Sequence, residues 1–305
     1  MTTSRGKRIV VAINPNAAFG RGRDVAPLAL AELSAAGHDV SALTAASFEE
    51  LRAAAAAELE HGADALVVVG GDGMVSLGVN LVAGTQTPLG IVPSGTGNDA
   101  ARNLGIPVGN TEAATRMLVA TLEHQPRVID TGRATLADGT SRWFVGVLSA
   151  GFDAVVNERA NRLRWPRGPR RYTLAIVWEL LRFRPVAYRV EIDGVPLERR
   201  AMLAAVANST SFGGGMTITP EARLDDGELD LFLVAPLTKL QFLRLFPSVY
   251  TGGHVTHPSV SIVRARSVRL DADAAVAYAD GERLGELPVT VEVVPGALRV
   301  LAPLL

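Results

Sequence analysis

The sequence predicts an α/β fold: an N-terminal doubly wound parallel α/β domain, then a mostly antiparallel β domain of sandwich or barrel type. Three observations predict it. Up to Pro126, short apolar runs alternate with alanine-rich segments of helical spacing, as parallel strands with helices on both faces require. Beyond Pro126, strand-like runs follow one another through turn chemistry such as Asp138-Gly139 and Asp193-Gly194. The chain has 305 residues, 48% hydrophobic and 20% charged, enough for two cores of ordinary size.

In the first part, Arg8–Ile13 reads as a strand, Asp24–Ala36 as a helix and Asp39–Leu43 as a strand. Phe48–Glu60 is a helix, Ala65–Val69 a buried strand, Met74–Ala83 a helix and Pro88–Val92 a short strand. In the second part, the strands are Val128–Leu136, Trp143–Ser149, Ala187–Ile192, Met202–Asn208, Leu229–Val234, Ser267–Leu270 and Val289–Val294. Helical stretches near Asp153–Leu163 and Arg171–Phe183 interrupt them. The expected domains are residues 1–127 and 128–294, with 295–305 returning to the first.

Composition removes several classes of function. No cysteine means no disulfide, thiolate nucleophile or cysteine metal site, which suits a reducing cytosol. A net charge of −1 argues against a bulk electrostatic grip on nucleic acid. Lys7 and Lys239 are the only lysines, and neither stands in a Walker loop or in the strand setting of a protein kinase. The apolar run Ile9–Ile13 is too short for a signal peptide, and no run reaches the roughly 18 apolar residues of a membrane span.

The sharpest motif is Val67-Val68-Val69-Gly70-Gly71-Asp72-Gly73-Met74, a buried strand that ends in Gly-Gly-Asp-Gly with a helix behind it. Glycines allow torsions closed to other residues and let backbone N–H groups approach phosphate oxygens. Asp72 would sit beside those phosphates, able to hold Mg²⁺ or accept a proton. Gly90 to Asp99 repeats the design, and its Thr96, Asn98 and Asp99 cap a helix or reach ligand. Two glycine loops at the carboxyl ends of strands could enclose one nucleotide. Asn14 to Arg23, a small-residue loop with two arginines after the first strand, suits phosphate contact.

Taken together, Asn14-Pro15, Gly70-Gly-Asp-Gly, Pro93-Ser-Gly-Thr-Gly-Asn-Asp99, Gly151-Phe152-Asp153, Asp226-Gly-Glu-Leu-Asp230 and Asp280-Gly-Glu282 resemble the diacylglycerol kinase catalytic fold. That fold also serves sphingosine kinases and soluble bacterial lipid kinases, and Arg159–Arg171 and Tyr278-Ala-Asp-Gly281 look like the actinobacterial branch. The resemblance implies an ATP- and Mg²⁺-dependent lipid kinase with diacylglycerol as acceptor. It implies that Gly70, Gly71, Asp72, Gly73, Met74, Val75 and Ser76 wrap the ATP phosphates, with Asp72 central. It adds nucleotide contacts from Asn14, Thr44, Gly95, Thr96, Asn98 and Asp99. Glu282 matches the general base. A structural Mg²⁺ site would use the Asp226 carboxylate and the carbonyls of Arg223 and Glu228. Met74 departs from the family's threonine, which removes a hydroxyl at that position.

The implied localisation is cytoplasmic, peripheral to the inner face of the membrane, and many relatives self-associate, so a homodimer is expected. Six arginines between Arg159 and Arg171 surround Trp165 and could rest on anionic headgroups, or be a solvated face. His254 and His257 read as polar surface in a loop. Open alternatives are another lipid acceptor (sphingosine, ceramide or phosphatidylglycerol), an NAD kinase, or a non-catalytic lipid- or nucleotide-binding relative.

Overall fold

The computed structural model describes residues 6–14, 24–151, 156, 178, 184–273 and 275–304. The first loop beyond Asn14 (residues 15–23), Phe152-Asp153, the arginine cluster at 159–171 and nearly all of the helical stretches 153–163 and 171–183 lie outside the described residues. The chain divides into two compact units, Met1–Ile129 with Gly296–Leu305, and Asp130–Pro295.

In the first unit, β1 (Arg8–Ile13), β2 (Asp39–Leu43), β3 (Ala65–Gly70) and β4 (Leu89–Pro93) form a parallel sheet in the order β2-β1-β3-β4. The end of the last strand joins it parallel to β4, with Val300 opposite Leu89. Strands β3 and β4 are buried throughout, which is why they read as unbroken apolar runs. Helices α1 (Val25–Ala35) and α5 (Thr111–Leu122) cover one face, where Ala29, Leu33, Leu118 and Leu122 meet Ile9, Val11, Val67 and Val69. Helices α2 (Phe48–Glu60) and α3 (Asp72–Val82) pack on the strands as well as on each other. A Cβ on Gly78 of α3 would lie 2.6 Å from Leu89 Cδ1, so this helix sits close to the sheet.

Helix α3 begins at Asp72, earlier than the predicted Met74, because Gly71 takes an extended ψ of −162° and serves as N-cap. Asp72 and Gly73 therefore belong to the helix's first turn. A short helix, α4 (Asp99–Asn103), follows the second glycine loop.

The second unit is a β-sandwich. Its strands are β5 (Arg127–Leu136, entering from the first unit), β6 (Ser141–Phe144), β7 (Val147–Gly151), β8 (Val186–Ile192), β9 (Val195–Ala201) and β10 (Leu203–Ala207). They continue with β11 (Ser211–Phe212), β12 (Met216–Thr217), β13 (Leu229–Val234), β14 (Val260–Ala265), β15 (Ser267–Asp271), β16 (Val276–Ala279), β17 (Glu282–Glu286) and β18 (Val289–Val300). One antiparallel sheet runs β14-β13-β10-β7-β16-β17, and a second group pairs β18, β15, β8 and β9, with β5 and β6 alongside β18. Leu148, Ala150, Val206 and Leu231 of the first pack against Tyr188, Val190, Val268, Leu270 and Val291 of the second in one core. The other face of the six-stranded sheet carries Val147, Ala205, Phe232 and Val234, covered by Leu237, Val249 and their neighbours.

Two further local expectations change. The predicted strand Trp143–Ser149 is two strands, β6 and β7, broken at Val145-Gly146. The N–H groups there find a side-chain acceptor in Asp280 instead of a ladder partner. His254 is buried, with Nε2 3.0 Å from Ile218 O and its ring edge-on to Phe232 at 5.5 Å. His257 keeps a local contact, accepting the Ser259 N–H at 3.2 Å. No helix among the described residues is long and apolar enough to cross a membrane.

Candidate active site

Thr44, Asn14, Gly70 and Ser94 each end or follow a strand at the carboxyl edge of the parallel sheet. The strand order lays them in a row about 15 Å long, three strand spacings. Open α/β sheets bind their ligands at this edge.

The two glycine loops touch along it. Ser94 N–H donates to Gly70 O at 2.9 Å. A Cβ on Gly95 would fall 2.4 Å from Gly71 Cα, and one on Gly97 would fall 2.5 Å from Asp72 Oδ2. None of Gly70, Gly71, Gly73, Gly95 and Gly97 has a positive φ. Glycine is required here by close approach, and not by the torsional freedom expected from sequence. The left-handed position falls to Asn98, at φ 56° and ψ 39°.

Asn98 spends its amide on the loop. Its Oδ1 accepts the Gly95 N–H at 2.9 Å, and its Nδ2 donates to Gly95 O at 2.8 Å. Asp72 reaches from one loop to the other: Oδ1 accepts the Ala100 N–H at 3.3 Å, and the carboxylate also takes N–H groups of Asn98 and Asp99. It thus caps α4 from a distant part of the chain. Burial, and then the charge of Asp99, push the Asp72 pKa above its ordinary value, against the lowering effect of those N–H groups. Asp99 pairs with Arg102 at 3.0 Å, and Arg102 also bonds Gly97 O at 2.9 Å.

Gly95, Thr96 and Thr44 are exposed, Asn14 half-buried. Met74, Val75 and Ser76 are buried, and the N–H groups of Met74 and Val75 already donate to Gly71 O. The Met74 side chain lies over Gly70, where an added Cβ would be 2.3 Å from its Cγ. These three residues support the loop from beneath, and their side chains do not line its mouth. The missing threonine hydroxyl is replaced by apolar packing.

In the second unit, Glu282 opens β17 on an exposed turn. Asp280 and Gly281 both have positive φ, 48° and 81°, the requirement of a tight hairpin. The Asp280 carboxylate accepts three backbone N–H groups, from Val145 at 2.9 Å, Gly146 at 2.9 Å and Val147 at 3.1 Å. The Glu282 side chain makes no hydrogen bond or ion pair among the described residues, so its carboxylate is available.

Asp226 lies in a separate acidic loop. Its Oδ1 accepts the Glu228 N–H at 3.2 Å, and the Arg264 guanidinium is 3.6 Å from Asp226, 3.5 Å from Glu228 and 3.9 Å from Asp230. Burial, with Asp226, Glu228 and Glu221 nearby, raises the Asp230 pKa to about 6 despite Arg264. The cluster is short of positive charge. One carboxylate with the carbonyls of Arg223 and Glu228 fits Mg²⁺, which keeps several waters. No three acidic or histidine side chains among the described residues are grouped so as to hold a metal ion. Arg223 itself turns its side chain to Asp225 at 3.7 Å.

Sequence reasoning missed Asp130, Arg264 and the role of Asp280. Asp130 is buried and accepts the Gly227 N–H at 2.7 Å, while its own N–H donates to Leu224 O at 2.6 Å, fastening the acidic loop at both ends. A lone aspartate after Val128-Ile129 in an apolar strand was the available signal.

The chain is similar to known proteins along its whole length. Residues 8–134 match the diacylglycerol kinase catalytic domain, and residues 146–302 match the YegS C-terminal NAD kinase beta sandwich-like domain. A protein of Mycobacterium tuberculosis named diacylglycerol kinase is 39% identical over 297 residues, 97% of this chain and 95% of its own. One of Staphylococcus saprophyticus with the same name is 28% identical over 92% of this chain and 91% of its own. A crystal structure described as a putative diacylglycerol kinase from Bacillus anthracis superposes with a TM-score of 0.78 at 23% identity, covering 99% of both chains.

Proposed function

The chain belongs to the diacylglycerol kinase family of lipid kinases, and on that premise we propose that it transfers the terminal phosphoryl group of ATP to the free hydroxyl of diacylglycerol, giving phosphatidic acid. The reach of the similarity carries the acceptor assignment. The mycobacterial relative, named for diacylglycerol, aligns over 97% of this chain, and the unit holding Glu282 is included.

Phosphoryl transfer asks a protein for alignment and charge neutralisation more than for covalent chemistry. The paired glycine loops hold the nucleotide phosphates through backbone N–H groups, and Gly71 and Gly95 let the main chain close on them. Thr44, Asn14 and Thr96 contact the nucleotide at the same strand edge. Asp72, Asn98 and Asp99 keep the two loops in register. Glu282, unpartnered among the described residues, takes the proton of the acceptor hydroxyl. Asp226, with the carbonyls of Arg223 and Glu228, would hold Mg²⁺ that steadies the acidic loop; Mg²⁺ carried by the nucleotide supplies charge neutralisation at the phosphates. The enzyme works from the cytoplasm at the inner face of the membrane, where diacylglycerol resides.

The test is an incubation with ATP, Mg²⁺ and detergent-dispersed diacylglycerol, sphingosine, ceramide and phosphatidylglycerol in parallel, with NAD as a soluble acceptor. Phosphatidic acid from wild type, lost in Asp72→Asn and Glu282→Ala, is the expected result. Product on another lipid changes the acceptor and keeps the residue roles. Phosphorylation of NAD alone overturns the lipid reading. ATP binding without transfer to any acceptor overturns catalysis.

A further inference from the structure

We propose that the helix Lys239–Leu245 and the turn Phe246–Thr251 form a membrane-docking face that seats the second unit on an anionic lipid bilayer. The inference builds on the lipid acceptor proposed above.

Large exposed apolar side chains elsewhere among the described residues occur singly along the chain. Here Leu240, Leu243 and Tyr250 are 56%, 52% and 51% exposed within one short segment. Leu240 and Leu243 stand three residues apart on the helix, and Pro247, also exposed, and Tyr250 stand three apart on the 3-10 turn that continues from it. An outward apolar patch marks an interaction surface.

The patch is held rigidly. Thr238 and Gln241 form a capping box that satisfies the start of a helix only 7 residues long. Phe242 is buried on the opposite side, stacks on Phe246 at 5.9 Å, and Phe246 meets Tyr250 edge-on at 6.1 Å. Leu237 and Val249 pack on the sheet face formed by Phe232 and Val234. The inward side chains anchor the segment, so the outward ones are presented in a fixed array.

Charge selects the occupant. No aspartate or glutamate occurs between Asp230 and Asp271, while the segment itself carries Lys239 and Arg244. Lys239 and Arg244 are exposed on the helix itself, flanking Leu240 and Leu243. Leucines that enter the acyl boundary with cations at headgroup level are the pattern of an interfacial helix. A second copy of the same face would bring its cations against these with no carboxylate from the segment to offset them, so the bilayer is favoured over self-association.

The test is co-sedimentation of the full chain with phosphatidylcholine vesicles, with and without phosphatidylglycerol. Wild type should pellet with the anionic vesicles. Leu240→Ser/Leu243→Ser should bind roughly tenfold or more weaker, with an unchanged melting temperature, because both side chains already face water. Lys239→Gln/Arg244→Gln should lose the preference for phosphatidylglycerol. The leucine variant should phosphorylate detergent-dispersed diacylglycerol as wild type does, and vesicle-borne diacylglycerol more slowly. Equal pelleting of wild type and the leucine variant overturns the proposal. So does a wild-type dimer in sedimentation equilibrium that the leucine variant converts to monomer. Pelleting needs no turnover: lost binding in a protein inactive on diacylglycerol keeps the docking face and removes the acceptor, and turnover with unchanged binding does the reverse.

Discussion

Asp280 Oδ1 accepts the Gly146 N–H at 2.9 Å, and the same carboxylate holds the N–H groups on either side of it. The turn bearing Glu282 is thereby fastened to the break between β6 and β7. Asp280→Ala leaves three N–H groups without their acceptor and should cost about 2–4 kcal/mol, read by urea unfolding. Asp280→Asn tolerates the positive φ and keeps one acceptor oxygen, so it should lose less. Both should lower kcat while nucleotide affinity holds, because the damage is confined to the second unit. Gly146→Ala tests the same contact from the other side, since its Cβ would lie 2.6 Å from Asp280 Oδ1.

Gly95→Ala should separate the glycine loops. Its Cβ would meet backbone, Gly71 Cα at 2.4 Å, and backbone cannot rotate away as a side chain can. A loss of about 1–3 kcal/mol in stability is expected from the overpacking. ATP affinity should fall at least tenfold, roughly 1.4 kcal/mol or more. Gly71→Ala, with a 3.0 Å contact to Gly95 Cα, should show a milder form of both effects. Isothermal titration with a non-hydrolysable ATP analogue reads the affinity; unchanged binding in Gly95→Ala would remove the loops from the nucleotide site.

Asp72 gives a pH dependence with a defined sign. Burial and Asp99 raise its native pKa above 3.8. A carboxyl raised in the fold supports stability fully below its unfolded pKa and loses that support as pH rises through the native value. Wild type should therefore lose stability relative to Asp72→Asn as pH climbs upward from 3.8, without nucleotide or Mg²⁺ present. Paired denaturation curves at several pH values measure the gap. A wild type that instead loses stability relative to Asp72→Asn as pH falls would contradict the burial described for this carboxyl.

Arg264 and Mg²⁺ should compete for the acidic loop. Mg²⁺ at about ten times its Kd should stabilise wild type by about 1.4 kcal/mol, and Asp226→Asn should abolish most of that gain. Arg264→Gln removes a half-exposed countercharge, so its metal-free loss should be at most about 1 kcal/mol. Its Mg²⁺ response should exceed that of wild type. Thermal melts across a Mg²⁺ titration, with Ca²⁺ as a comparison, report both.

Much of this was legible in the chain. Unbroken apolar runs such as Ala65–Gly70 mark strands buried on both faces, and their alternation with helical spacing implies a parallel sheet. Glycine loops directly after such strands must stand at the sheet's carboxyl edge, and Asp-Gly pairs must turn hairpins. Local periodicity and local backbone torsion carry those conclusions, so sequence by itself determined them. Folding decided the rest. Gly95 is glycine because Gly71 approaches it, Asp72 caps a helix that starts beyond the next strand, and Gly146 breaks a strand because Asp280 supplies its acceptor. Asp130 and Arg264 gain their roles only against loops far along the chain. Such contacts join groups with no fixed separation in sequence, and their partners are set by how sheets and helices pack. No periodicity encodes that geometry, and only the tertiary structure brings these atoms within bonding distance.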